Sequence, residues 1–254
     1  MSSLILEELQ SKSNNINNND DNDINNDDNN NNNNNNELKK RSGRTNRIRS
    51  KYPDTPKVND MSIFLRSNEI LTLKEVQIVT NQLKYIPYNI IKIGAYSSST
   101  NEPLVAILYP LLLNDLKGNY IKEEGYKPFP TTMWITCPKL HTRISKLEDQ
   151  GWINIIQDRI KDDKNKEYLE IMHNAHDMYS KYRWSLLSTE DIELIETNGW
   201  TPKLRDVGIA GIRSFEGVKC LHCHYAHYLC KPEHNNIIGK WVEELLKTIP
   251  EELP

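Results

Sequence analysis

An Asn/Asp tract is the feature that most constrains what this chain can fold into. Residues 14–36 comprise sixteen Asn, five Asp and two Ile. Such a segment cannot bury enough apolar surface to offset the conformational entropy lost on ordering, so it predicts disorder. Residues 1–60 hold only eleven hydrophobic residues, whereas the remaining 194 residues are about 43% hydrophobic. We therefore predict a disordered tail over residues 1–71 and a single globular domain over residues 72–254.

A basic segment follows the tract. Residues 39–51 (KKRSGRTNRIRSK) carry seven basic residues in thirteen. The segment is either a nuclear-import signal or nucleic-acid-binding arm, or a solvated linker that offsets the acidic tract. After residue 60 the chain carries 23 basic and 25 acidic residues, a balance that gives no electrostatic basis for binding nucleic acid. Nucleic acid is therefore expected as a partner only through Lys39–Lys51.

The sequence also indicates the cellular compartment of the protein. No stretch reaches the roughly 18 apolar residues of a membrane-spanning helix, so we expect no membrane association. The first ten residues carry acids and lack the basic region of a signal peptide. Four Cys in 254 residues do not resemble a secreted disulfide framework. These features predict a soluble protein in a reducing compartment, the cytoplasm or the nucleus.

The order of strand and helix patterns predicts an α+β fold. Thr72-Leu-Lys-Glu75 has capping-box spacing and starts a helix that Pro87 ends. Three strands are then expected, and Asn114–Lys127 is interpreted as an inserted loop. Helical periodicity dominates after residue 139, so we predict a small, mostly antiparallel sheet of about three strands backed by five or six helices. The strands are expected over 90–96, 104–109 and 131–136; the later helices over 140–150, 164–187, 189–198, 219–230 and 237–248.

The first candidate for chemistry is Cys137. A predicted strand runs into Cys137, and Pro138 suits the first turn of a helix because its missing N–H would be unpaired there. Cys137 would then occupy a helix N-cap, where free N–H groups favour a thiolate. The alternative is an inert, buried Cys at the end of a strand.

The second candidate is the segment 219–230, which carries six Cys or His residues within the eleven positions 220–230. In a continuous helix at 100° per residue, Cys220, Cys223, His224 and His227 share one face, and His222 lies nearly opposite. One helix supplies only two or three ligands to a tetrahedral zinc ion, so a zinc site would need a ligand such as Cys137. A metal site, thiol chemistry and a structural core remain open alternatives. The spacing of His173 and His176 on the long helix would allow two imidazoles to bind a metal, but one surface and one core His is the expected arrangement.

Five motifs occur in an order that resembles the bacterial domain-of-unknown-function family numbered 501. They are FPTTMWITCPKL (129–140), SKLEDQG (145–151), AHDMY (175–179), VKCLHCHYAHYL (218–229) and NNIIG (235–239). The resemblance covers about residues 72–245 and implies a fold and a site but no reaction. Cys223, His224 and Cys230 match less securely, and Tyr96 stands where bacterial members often have Cys. The matching positions are Cys137, Glu148, His176, Lys219, Cys220, His222, His227 and Gly239.

These patterns lead to one site hypothesis with two chemistries. A Cys/His pocket is expected where the strand into Cys137 meets the helix of residues 220–227. In the first chemistry, Cys137 is a thiolate nucleophile and His222 or His227 is its base. In the second, Zn²⁺ is held by Cys137, Cys220, His222 and His227. The alternative to both is a non-enzymatic interaction or structural module whose Cys and His are core residues. No substrate or ligand is identified.

Overall fold

The computed structural model describes residues 56–62, 64, 71–112, 125–162 and 166–249. Most of the predicted tail, including its basic segment, lies outside the described residues. Most of the predicted loop 114–127 lies outside them as well. Within the described part, eight α-helices and a three-stranded antiparallel sheet confirm the α+β class. Among the same residues, none of the helices combines the length and apolar character needed to cross a membrane.

The sheet forms the middle layer of the fold. Its strands are β1 (Ile90–Tyr96), β2 (Pro103–Leu108) and β5 (Met133–Ile135), with β2 in the centre, which confirms the three predicted strands. Successive side chains of β2 alternate between two apolar clusters, one containing Val105 and Ile107 and the other Ala106 and Leu108. Both faces of the sheet are therefore covered. A separate pair of short strands joins β3 (Leu111–Leu112) to β4 (Lys127–Pro128).

Helix α1 (Leu73–Leu83) covers one face of the sheet. The predicted capping box is confirmed: the Thr72 side chain accepts from the Glu75 N–H, and the Glu75 carboxylate accepts from the Thr72 N–H at 2.8 Å. Val76 and Val79 are fully buried on β2, in a cluster that extends N-terminal to the predicted domain start. The buried residues of that extension are Val58, Phe64 and Leu71.

The other helices pack on the opposite face of the sheet. They are α2 (Pro138–Asp149), α3 (Trp152–Lys161), α4 (Lys166–Ser185), α5 (Thr189–Thr197), α6 (Thr201–Leu204), α7 (Leu221–Cys230) and α8 (Ile237–Thr248), with 3₁₀ turns at Ile209–Gly211 and Pro232–His234. The central helix α7 contacts β5, α2 and α8, and Gly239 lets α8 approach α7 closely, since a Cβ there would lie 2.3 Å from the Tyr228 Cβ. The sequence pattern does not predict α3, because Gly151 is typical of a helix end; with φ +81° it joins α2 directly to α3.

Helix α4 holds the chain that leads into α7. Its Arg183 is fully buried and donates to the carbonyl oxygens of Leu204 and Val207. Its His176 accepts a hydrogen bond from the Ile209 N–H at 3.0 Å. His176 is buried and His173 is exposed, as predicted. These contacts fix the backbone that precedes the segment 219–230.

Candidate functional site

The N-terminus of α7 is held by side chains of α2 and α3. Glu148, one residue before the end of α2, accepts a hydrogen bond from the Leu221 N–H at 2.7 Å. Gln157 on α3 accepts from the Val218 N–H at 2.6 Å and donates to the Glu216 carbonyl at 2.7 Å. Because Leu221 is the first residue of α7, its N–H has no partner inside the helix, and a carboxylate there also faces the positive end of the helix dipole.

His222 lies between two hydrogen-bond acceptors. Its Nδ1 is 3.1 Å from Glu148 Oε1, and its Nε2 is 3.0 Å from the His141 carbonyl oxygen. Since a carbonyl and an ionised carboxylate only accept, both ring nitrogens carry hydrogen and the ring is an imidazolium. Burial lowers the pKa of His222, but hydrogen bonds with Cys220 and Glu148 outweigh burial and raise the pKa to about 10.

Cys220 is the N-cap residue of α7, and its sulfur lies 3.9 Å from His222 Nδ1. A hydrogen bond from the Cys223 thiol has the largest effect on its pKa; together with the His222 hydrogen bond it outweighs burial and lowers the pKa of Cys220 to about 5. The same contact, together with burial, raises the pKa of Cys223 well above its ordinary value. At neutral pH the motif therefore carries a thiolate at Cys220 and a thiol at Cys223.

Glu148 completes a group with Cys220 and His222. One potential metal-ligand atom of each of the three residues lies within 4.8 Å of those of the other two. Burial raises the pKa of Glu148, but hydrogen bonds from His222 and from the Leu221 N–H leave it below its ordinary value. Sequence reasoning does not place Glu148 among the site residues. Its position in the motif SKLEDQG is the signal that points to it.

Cys137 and His227 do not belong to this group. Cys137 is the N-cap residue of α2, as predicted, and eleven residues of helix, about 16 Å, separate it from Glu148. His227 packs inside the helical layer instead. The structure therefore brings together Cys220 and His222, but not the full predicted set. Cys220 and His222 come together because α7 begins at Leu221. Cys220 therefore lies outside the helix, and the rotation of 100° per residue that would place it opposite His222 does not apply to it.

His227 is part of a second, buried cluster. Its Nε2 lies 2.8 Å from Nδ1 of His234, and its Nδ1 accepts from Asn236 at 3.0 Å. His224 also contacts the Asn236 side chain, and its ring centroid lies 5.4 Å from that of His176. Burial is the main cause that lowers the pKa of His176, His224 and His227 to about 3. These rings are neutral at physiological pH and form part of the core.

Comparison with known proteins places the site in a family. The family described as "Protein of unknown function (DUF501)" matches residues 95–244, more than half of the chain. The chain belongs to this family. The DUF501 match spans both halves of the site, Glu148 on α2 and Cys220–His222 at the start of α7. No curated protein and no solved structure matches the chain.

Proposed function

We propose that the chain is a thiol-dependent enzyme in which Cys220 is the nucleophile. The observation that carries the proposal is the arrangement around His222, whose two ring nitrogens both face acceptors while its Nδ1 lies 3.9 Å from the Cys220 sulfur. This geometry makes the ring a cation that stabilises a thiolate. A thiolate that is already ionised attacks an electrophilic centre without a separate base to remove its proton.

Each neighbour has a distinct role in this proposal. Cys220 contacts the substrate and forms the covalent bond. His222 supplies the positive charge, and it is a positioning residue rather than the general base that the sequence suggests. Glu148 orients His222 and holds the N-terminus of α7 through the Leu221 N–H. Cys137 and His227 have no part in the reaction.

Zinc binding is the second candidate, because one donor atom from each of Glu148, Cys220 and His222 lies within 4.8 Å of the others. Three protein ligands and a water are a common arrangement in catalytic zinc sites. An ion here would require His222 Nδ1 to lose its hydrogen and its bond to Glu148. The same hydrogen bonds that support the imidazolium therefore disfavour the metal.

The proposal is tested by alkylation of the full chain with iodoacetamide over a range of pH, with each Cys followed by fragment-ion mass spectrometry. We expect the Cys220 rate to level off above an inflection near pH 5, because a thiol with that pKa is about 90% ionised at pH 6, against under about 1% for an ordinary Cys. His222→Gln should slow Cys220 alkylation at pH 6 by at least about tenfold. Cys137→Ser is the control and should leave the Cys220 profile unchanged.

Three outcomes decide between the alternatives. Zinc near one equivalent in protein purified without a His-tag, lost on Cys220→Ser, would contradict the thiolate proposal and support the metal site. A Cys220 inflection above pH 8 without metal, with His222→Gln lowering only the melting temperature, would support a non-enzymatic module. A low inflection with little metal and an unchanged melting temperature in Cys220→Ser supports the enzyme.

A further inference from the structure

Two cysteines face each other in the first turn of α7. Cys220 is the N-cap residue, and Cys223 is the third residue of the helix, so the segment Cys220-Leu-His-Cys223 is a C-x-x-C motif at a helix N-terminus. The side chains of an N-cap residue and of the third helical residue are neighbours, as in a capping box. Both residues are free thiols and partly exposed.

The other two cysteines are placed elsewhere. Cys137 precedes α2, at the opposite end of that helix from Glu148. Cys230 ends α7 and packs against β1, where a Cβ on Gly94 would lie 2.5 Å from its sulfur. Seven residues of helix, about 10 Å, separate Cys223 from Cys230. Among the described residues, Cys223 is therefore the partner that the fold gives to Cys220.

We propose that Cys220 and Cys223 are a redox-active dithiol that forms a reversible disulfide. The substrate of the site is then a disulfide that joins two separate thiol molecules. This inference rests on the proposed function, since it uses Cys220 as the nucleophile, and it adds the reaction and the substrate class. The surroundings agree with it. His222 places a positive charge beside Cys220, and the exposed Lys219 places another next to it in the chain.

The reaction consists of two exchange steps. In the first, the Cys220 thiolate attacks one sulfur of the substrate disulfide; a new S–S bond forms, the substrate S–S bond breaks, and the departing thiolate takes a proton from water. In the second, the Cys223 thiol gives its proton to solvent and its sulfur attacks Cys220, which releases the second substrate thiol. The substrate disulfide is reduced to two thiols, and the two cysteines are oxidised to one disulfide. An external dithiol then reduces the Cys220–Cys223 disulfide to two thiols and is itself oxidised to a disulfide.

The order of the two cysteines follows from their contacts. Cys220 is the N-cap residue of α7, and its sulfur lies 3.9 Å from Nδ1 of the positively charged His222, so its thiolate makes the first attack. Cys223 lies inside the first turn of the helix, so it is placed to attack the mixed disulfide that forms at Cys220.

The experiment uses the full chain, fully reduced, treated with glutathione disulfide in the presence of a chelator and then blocked with N-ethylmaleimide. Trypsin cleaves after Lys219 and next after Lys240, because Lys231 precedes Pro232, so one peptide carries Cys220, Cys223 and Cys230. The Cys230→Ala chain therefore provides the unambiguous assay. We expect its peptide 220–240 to lose two hydrogen atoms and to take up no maleimide, with two glutathione molecules released per chain.

Variants separate the two steps. In Cys223→Ala the reaction should stop with glutathione bound to Cys220, and release of that adduct should be at least about tenfold slower than in the Cys230→Ala control, since an adjacent thiol acts at high effective concentration. An adduct that leaves equally fast, or a peptide that never loses two hydrogens, would overturn the inference. If Cys220 still alkylates with a low inflection in that case, the proposed function survives; if it does not, both fail.

Discussion

Acidification should destabilise the fold through its buried His residues. His176, His224 and His227 are neutral in the folded protein, where burial lowers their pKa to about 3, whereas an unfolded His titrates near 6.5. Between these values the unfolded state binds protons that the folded state does not, so stability falls as pH falls from about 6.5 to 3. From pH 7 to pH 5 each ring accounts for about 2 kcal/mol, and the three together for about 6 kcal/mol.

Two residues of the site modify this loss. The lowered pKa of Cys220 contributes stability that is lost as pH falls through about 5, so it adds to the acid effect. The raised pKa of His222 acts in the opposite sense: its contribution is full below about 6.5 and is lost as pH rises towards 10. A total of about 6 kcal/mol is a large share of the 5–15 kcal/mol that stabilises a typical domain.

Urea unfolding at pH 7, 6 and 5 measures the effect, with the slope against urea used to check that the unfolded state is comparable. His176→Gln keeps an acceptor for the Ile209 N–H and removes one titrating ring, so it should reduce the loss between pH 7 and pH 5 by about 2 kcal/mol. His173→Gln, exposed on the same helix, is the control and should behave as the wild type. If the wild type loses less than about 2 kcal/mol of unfolding free energy between pH 7 and pH 5, or if the two variants lose equal amounts, the buried His rings are not the cause of acid destabilisation.

Four substitutions test other parts of the structure. Glu148→Gln should lower the pKa of His222, measured by NMR titration of the ring, and should cost about 2 kcal/mol in urea unfolding because a partly buried charged acceptor is lost. An unchanged ring titration would argue against the contact. Gly239→Ala should cost about 3 kcal/mol of stability because the new Cβ would clash with α7. Gly151→Ala has open space but φ +81°, so it should cost only about 1 kcal/mol. Thermal melts that rank the two variants in reverse would contradict the close approach of α8. Arg183→Met should cost about 3 kcal/mol in urea unfolding, since buried carbonyls lose their donor, and a change below about 1 kcal/mol would contradict that role.

The local elements of the fold could be predicted because their signals lie within a few residues. The Thr72/Glu75 capping box starts α1, and Pro138 starts α2 directly after Cys137. The strands follow from short β-rich runs bounded by turns. Helix α3 was missed although Trp152, Ile155, Ile156 and Ile160 have helical spacing, because a Gly with positive φ permits two helices to follow each other without a loop.

The site could be predicted only in part, because its geometry depends on packing between distant segments. Cys220 and His222 lie in one motif, but the residue that holds them, Glu148, is more than seventy positions earlier and reaches them only because α2 packs on α7. The position of His227 also depends on packing. Its side of α7 faces the core, where Asn236 and His234 satisfy its ring nitrogens.

The protonation state of His222 decides whether Cys220 is held as a thiolate. ¹⁵N NMR of the His rings at neutral pH, with His222→Gln used to assign the signal, reports the state of each ring nitrogen. We expect both nitrogens of His222 to carry hydrogen and the ring to titrate near pH 10. A single protonated nitrogen with a titration near pH 6.5 would contradict the thiolate–imidazolium pair and, with it, the assignment of Cys220 as the nucleophile.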